Sequence, residues 1–229
     1  MIPLHDDNPT SITPIVTMVI IALCVLVFFW ELSLGRAAQQ AFYAYGAIPA
    51  VVLGGKTLPP QVDMIPAWAT VLTSMFMHGG WMHIIGNMLY LWIFGNNVED
   101  AMGHKRFIVF YLVCGIIAFL AHGMGNVGSE VPTVGASGAI SGVLGAYLLL
   151  HPHARVLVLI PLGFFLYTAR FPAGLVLVIW FGFQLLSSAL TPADQAGVAF
   201  GAHIGGFVAG IALIPFFKYR RVPLFSQNK

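Results

Sequence analysis

VPTVGASGAISGVLGAYLLLHPHA, residues 131–154, runs without a single charged side chain. A helix crossing a bilayer core needs about 20 consecutive apolar residues, so this stretch is long enough to span a membrane. Within it Gly138 and Gly142 stand four apart, as do Ser141 and Gly145. Small residues at that spacing let membrane helices approach backbone to backbone. Taken alone, Ser137 and Ser141 read more readily as packing residues than as chemistry, by about two to one.

The same punctuation recurs on either side. Charge-free runs cover 8–30, 64–98, 107–129, 171–193 and 195–217. Across all 229 residues 59% are hydrophobic and 8% charged, whereas a soluble domain carries about 25% charged residues. The pattern predicts an all-α membrane protein, a polytopic six-transmembrane-helix bundle. Its expected parts are a short N-terminus over 1–12, a six-helix domain over 13–217 and a short basic tail over 218–229. The helices are expected at about 13–33, 81–101, 104–124, 136–151, 171–190 and 197–217, with a long connection over 34–80. A further run, 156–169, holds Pro161 and Gly163 between Arg155 and Arg170 and fits an interfacial hairpin. Residues 37–55, with Gln39, Gln40 and Pro49, read as a loop lying on the membrane.

Residues 1–12 carry Asp6 and Asp7 and no Lys or Arg. A cleaved signal peptide has a basic start and a short apolar stretch, so the first run is expected to be a retained helix. Six spans put both termini on one side. If that side is cytoplasmic, the inner segments hold Lys105, Arg106, Arg155, Arg170, Lys218, Arg220, Arg221 and Lys229, and only Arg36 and Lys56 lie outside. The positive-inside rule favours this orientation, and a prokaryotic plasma (inner) membrane is the expected location.

Several classes drop out. A net charge of +2 makes no nucleic-acid footprint. Cys24 and Cys114 sit in apolar runs, which suits neither a disulfide framework nor a cysteine-rich metal site. An intramembrane metalloprotease needs HExxH. That motif is absent, and His78 and His83, five apart, do not share a helix face.

Polar groups inside membrane helices are costly and mark function by default. The candidates are His78, His83 and Asn87 near the second span, Ser137 and Ser141 in the fourth, and His203 in the sixth. His83, Asn87, Ser137 and His203 each fall a turn or two past their helix start, at a common depth of roughly 10 Å. A serine becomes a nucleophile when a base takes its proton. At the start of a helix, free backbone N–H groups and the positive dipole end favour an oxyanion beside Ser137. Asn87, with two N–H groups, and His83 on the same helix face would supply further donors.

These residues resemble the rhomboid intramembrane serine proteases. The likeness lies in His-x4-His-x3-Asn (His78, His83, Asn87) and Gly-x-Ser-Gly (Gly135, Ser137, Gly138). Ala-His-x-Gly-Gly (Ala202, His203, Gly205, Gly206) and Gly-x3-Glu-x3-Gly (Gly95, Glu99, Gly103) complete it, in order across 64–217. The resemblance implies a Ser–His dyad with no third acid, Ser137 as nucleophile and His203 as general base. It assigns the oxyanion to His83, Asn87 and the Ser137 backbone N–H, and a structural role to Glu99. It implies no cofactor and no metal, transmembrane protein substrates entering laterally from the lipid bilayer beside the fifth span, and no particular oligomeric state. The connection 190–196, with Pro192 and Asp194, is a candidate lid.

This chain departs from the family pattern at Ser141, where many members carry a Tyr that packs on the imidazole, and at Ala69–Thr70, where many carry Trp–Arg. His104, His151 and His153 read as solvated turn positions, and His122 as interfacial or functional alike. Two rivals stand beside the protease reading. A small transporter should show repeated halves and charged coupling sites, and a catalytically silent rhomboid-like chaperone should lack Ser137 or His203.

Overall fold

The computed structural model describes residues 2–163, 165–190 and 199–226. Strand β1 (Ile2–Asp6) is followed by α1 (Ile15–Ser33), α2 (Ala38–Tyr45), α3 (Pro49–Val52) and α4 (Ala67–Thr73). Next come α5 (Trp81–Met102), α6 (His104–Met124) and α7 (Ser137–Leu150). Strands β2 (Arg155–Leu162) and β3 (Phe165–Pro172) lead into α8 (Ala173–Leu190) and α9 (Phe200–Phe217). Helices dominate, and α1, α6, α8 and α9 are each long and apolar enough to cross a membrane. Of the candidate lid over 190–196, everything after Leu190, with Pro192 and Asp194, lies outside the described residues.

At the centre stands α7. Ala139 through Tyr147 are all buried, as is Leu150, so the helix has no lipid face and needs no apolar stripe. Its 14 residues rise only about 21 Å, less than a bilayer core. A helix this short starts inside the bundle, and Ser137 is its first residue. Backbone contact with α9 rests on glycines: a Cβ at Gly206 would overlap the Gly138 carbonyl oxygen, and one at Gly210 that of Gly142. Gly138 faces Ala118 of α6, and Gly205 faces Ala121.

On α1 the buried residues Thr17, Ile20, Cys24, Phe28 and Glu31 recur every three or four positions, a single helix face. The opposite face exposes Val19, Leu23, Leu26 and Phe29, as a lipid solvent requires. The start of α1 is capped from another helix. Glu99 of α5, fully buried, accepts the Val16 N–H at 2.9 Å and the Thr17 N–H and hydroxyl at 2.8 and 2.7 Å. First-turn N–H groups have no intrahelical partner, and a carboxylate there also meets the positive dipole end. His104 pairs with the same carboxylate. Its side chain stays 42% exposed, in keeping with a solvated turn position, and closing the α5–α6 turn brings it back onto Glu99.

This end of the bundle also carries a three-stranded antiparallel sheet in the order β1-β2-β3. The hairpin expected over 156–169 is therefore two strands, joined by the N-terminal segment as a third. Tyr147 donates to the Asp6 carboxylate at 2.6 Å, and Asn97 donates to the Asn8 carbonyl at 2.8 Å. The tail returns here as well: the Phe225 and Ser226 N–H groups bond the carbonyls of Leu149 and Leu150 at 2.6 and 3.0 Å. His151 contacts the Ser226 hydroxyl at 3.0 Å. It is not a solvated turn residue, because the returning tail packs against it.

At the opposite end lies the connection 34–80, in which residues 37–55, expected as a loop on the membrane, instead form α2 and α3. It holds three short α-helices whose Ala47, Ile48, Ala50, Val71, Met75 and Met77 are buried in or beside them. The chain before α7 fastens it. Ala47 and Thr133 exchange backbone hydrogen bonds, Ala50 N–H bonds Ser129 O, and Gly135 N–H bonds Ser74 O. Lys56 pairs with Glu130. These contacts anchor the segment without a Trp–Arg pair.

Candidate active site

Ser137 opens α7 and His203 lies in the first turn of α9, so the glycine contact of these two helices brings the side chains together. Ser137 Oγ stands 2.8 Å from His203 Nε2. An imidazole nitrogen at that distance can take the hydroxyl proton. The other ring nitrogen, Nδ1, lies 2.7 Å from Gln184 Oε1 of α8. Trp180, one turn earlier on α8, lies against the imidazole with ring centroids 5.9 Å apart. Ser141 does not take the place of the missing Tyr: its hydroxyl donates to the Ser137 carbonyl at 2.7 Å.

His83 and Asn87 reach the same spot from α5. Gly135 adopts φ +123°, a conformation that favours glycine. A Cβ there would lie 2.6 Å from His83 Nε2 and 3.7 Å from Asn87 Nδ2. Both groups therefore converge on the backbone just ahead of Ser137. His83 Nδ1 accepts the Gly79 N–H at 3.4 Å, which leaves the ring proton on Nε2, facing the site. Asn87 is buried, and its Nδ2 has no hydrogen-bond partner among the described residues. Buried donors are ordinarily paired, so two N–H groups stand ready for an acceptor beside the Ser137 backbone N–H.

These residues line a cavity of about 680 Å³ between α5 and α8, walled by Met82, Gly86 and Tyr90 on one side and Trp180 and Gln184 on the other. His78 lies outside its lining. Its ring packs edge-on behind that of His83, centroids 5.1 Å apart, and the His78 backbone N–H donates to the Glu31 carboxylate at 3.2 Å. Glu99 sits at the far end of α5, remote from Ser137. Among the described residues no three His, Cys, Asp or Glu side chains converge as a metal site. Sequence reading passed over Gln184, Trp180 and Glu31. For Gln184 and Glu31 the available signal was a polar group inside an apolar helix.

Fold and helix composition define an integral, multi-pass membrane protein of the all-α class. The comparisons narrow the class: the chain belongs to the rhomboid family, a family model described as "Rhomboid domain" matching residues 66–220. It is 33% identical over 201 residues to Rhomboid protease GluP of Bacillus subtilis, covering 87% of this chain and 35% of that protein. Presenilin-associated rhomboid-like protein, mitochondrial, of Homo sapiens is 31% identical over 155 residues, 64% of this chain and 37% of the relative. Rhomboid-like protein 11, chloroplastic, of Arabidopsis thaliana is 30% identical over 157 residues, 65% and 52%. The chain spans about a third to a half of the length of these relatives.

Proposed function

We propose that this protein is an intramembrane serine endopeptidase that hydrolyses a peptide bond in or near a transmembrane segment of membrane-protein substrates. The observation that carries the reading is the 2.8 Å contact between Ser137 Oγ and His203 Nε2. Ser137 Oγ attacks the scissile carbonyl carbon as its proton passes to His203 Nε2. The resulting oxyanion takes hydrogen bonds from Asn87 Nδ2, His83 Nε2 and the Ser137 backbone N–H. As the C–N bond breaks, His203 returns the proton to the leaving amine and an ester to Ser137 remains. Water then attacks the ester, His203 taking its proton, and the serine is released.

The eight-to-two distribution of basic residues supports cytoplasmic termini, with the cavity opening to the outer face of a prokaryotic plasma membrane. Water reaches the serine through that opening. Substrate helices enter from the bilayer beside α8 and must unwind locally, since a helical peptide bond has its groups satisfied and is shielded. Ser137→Ala and His203→Ala should each abolish cleavage of a transmembrane reporter and labelling by a serine-directed fluorophosphonate while the fold persists. Wild-type turnover by Ser137→Ala would overturn the mechanism. No cofactor enters the scheme, so EDTA should leave activity unchanged.

A further inference from the structure

A neutral imidazole carries one ring proton, and its position decides what His203 can do. With the proton on Nε2 the ring donates to Ser137 Oγ and cannot accept from it; with the proton on Nδ1 the Nε2 lone pair is free to act as base. Packing cannot make that choice. Trp180 and Phe200 lie against the ring, with centroids 5.9 and 6.4 Å from its own. They fix its plane but do not distinguish its nitrogens. Gln184 Oε1, 2.7 Å from Nδ1, does distinguish them. It is an acceptor only, so the contact requires a proton on Nδ1. Being neutral, it also adds no second buried charge to an apolar site.

Gln184 stands at a telling place on α8. The buried residues of that helix, Ala173, Val176 and Leu177, all lie in its first turns. Beyond them Phe183, Leu185 and Leu186 are exposed. The face toward α9 continues through Trp180 and Phe181, three and four positions past Leu177, to Gln184, four and three positions past them. Along that face Phe181 stacks on Phe207 with centroids 4.4 Å apart, and Gln184 makes the polar contact.

We propose that Gln184 is a positioning residue for His203: its side-chain carbonyl holds the proton on Nδ1, keeps Nε2 competent toward Ser137, and makes that competence depend on α8 being packed against α9. The inference rests on the hydrolase reading of the Ser137–His203 pair. Movement of the outer half of α8 away from α9 removes the acceptor, and its return restores it. The imidazole is thus set for catalysis only when α8 has closed.

The test compares full-length wild type with Gln184→Leu, similar in size but without an acceptor, and Gln184→Glu, which keeps one. Fluorophosphonate labelling of Ser137 reads activation without substrate entry, kcat and KM on a transmembrane reporter separate chemistry from binding, and 15N shifts of the His203 ring report the tautomer. Gln184→Leu should label about 10- to 100-fold more slowly, the range for losing a hydrogen bond to a group that becomes charged, with kcat falling alike and KM little changed. Its ring should gain the Nε2–H tautomer, and Gln184→Glu should restore labelling. Wild-type labelling with the Nδ1–H tautomer retained in Gln184→Leu would overturn the proposal, as would a loss that Gln184→Glu fails to rescue. Failure of wild type to label or cleave would instead strike the hydrolase reading. The tautomer measurement separates the two, because it needs no turnover.

Discussion

Asn87 is a buried amide whose Nδ2 has no partner among the described residues. An unpaired buried donor costs about 1–3 kcal/mol, and here it points at the backbone ahead of Ser137. The proposed mechanism gives it an acceptor when the tetrahedral oxyanion forms. Losing one such donor costs about 10²–10³ in kcat. Asn87→Ala should therefore be slow rather than dead, and His83→Ala likewise, each with KM little changed. Effects below about threefold in both would place the oxyanion elsewhere. At this scale the sequence is informative where a polar residue interrupts an apolar run, as at His83, Asn87, Ser137 and His203. Gln184 interrupts one too, but its meaning depends on a partner 19 positions away. Neither composition nor spacing predicts which nitrogen of His203 faces it.

The α7–α9 contact turns a pair of side chains into a site. Gly206 lies against the Gly138 carbonyl so closely that any Cβ would overlap it, and the overlapped atom is backbone, which cannot rotate away. Gly206→Ala should push α9 off α7 and lengthen the Ser137–His203 contact. A misplacement of about 1 Å can cost 10²-fold in rate, so labelling by a fluorophosphonate should fall by about that factor and the thermal midpoint in detergent should drop. Unchanged labelling in a protein of unchanged midpoint would count against close approach as what aligns the dyad. The four-residue spacing of the glycines is enough to make this contact legible in the sequence. The sheet is not legible in the same way. A strand of five residues at the N-terminus gains its meaning from pairing with Val156–Leu159, about 150 positions on, and an isolated run such as 156–169 shows no partner. The connection 34–80 is obscured similarly, because its short helices are stabilised by docking onto 129–135, not by propensity or length.

Seen whole, the molecule is firmly tied at one end and open along one side at the other. Where the sheet lies, β1, the Glu99 cap and the returning tail join both chain ends to the bundle. The base of α8 is held there too, the Ala173 and Gly174 N–H groups bonding the Ala154 and Pro152 carbonyls at 2.7 and 2.8 Å. Toward its other end no described residue of α8 after Leu177 is buried, and the helix faces α5 across the cavity, with Tyr90 and Trp180 ring centroids 6.4 Å apart. On the proposed substrate route, a helix anchored at its base and lightly packed at its tip would swing at that tip and open the cavity to lipid. A bifunctional methanethiosulfonate cross-linker joining Tyr90→Cys to Trp180→Cys should pin it in place. Because losing Trp180 also loosens His203, the comparison is between the cross-linked double variant and the same protein after the cross-link is reduced. Cross-linking should reduce cleavage of a transmembrane reporter by about tenfold or more, since lid and gate motions commit the substrate. Labelling by a small fluorophosphonate should change little, because on the proposed scheme that reagent needs only the aqueous opening and no passage between α5 and α8. Equal cleavage in the two forms would show that substrate does not pass between α5 and α8, and equal loss of labelling would show that the cross-link damages the site itself.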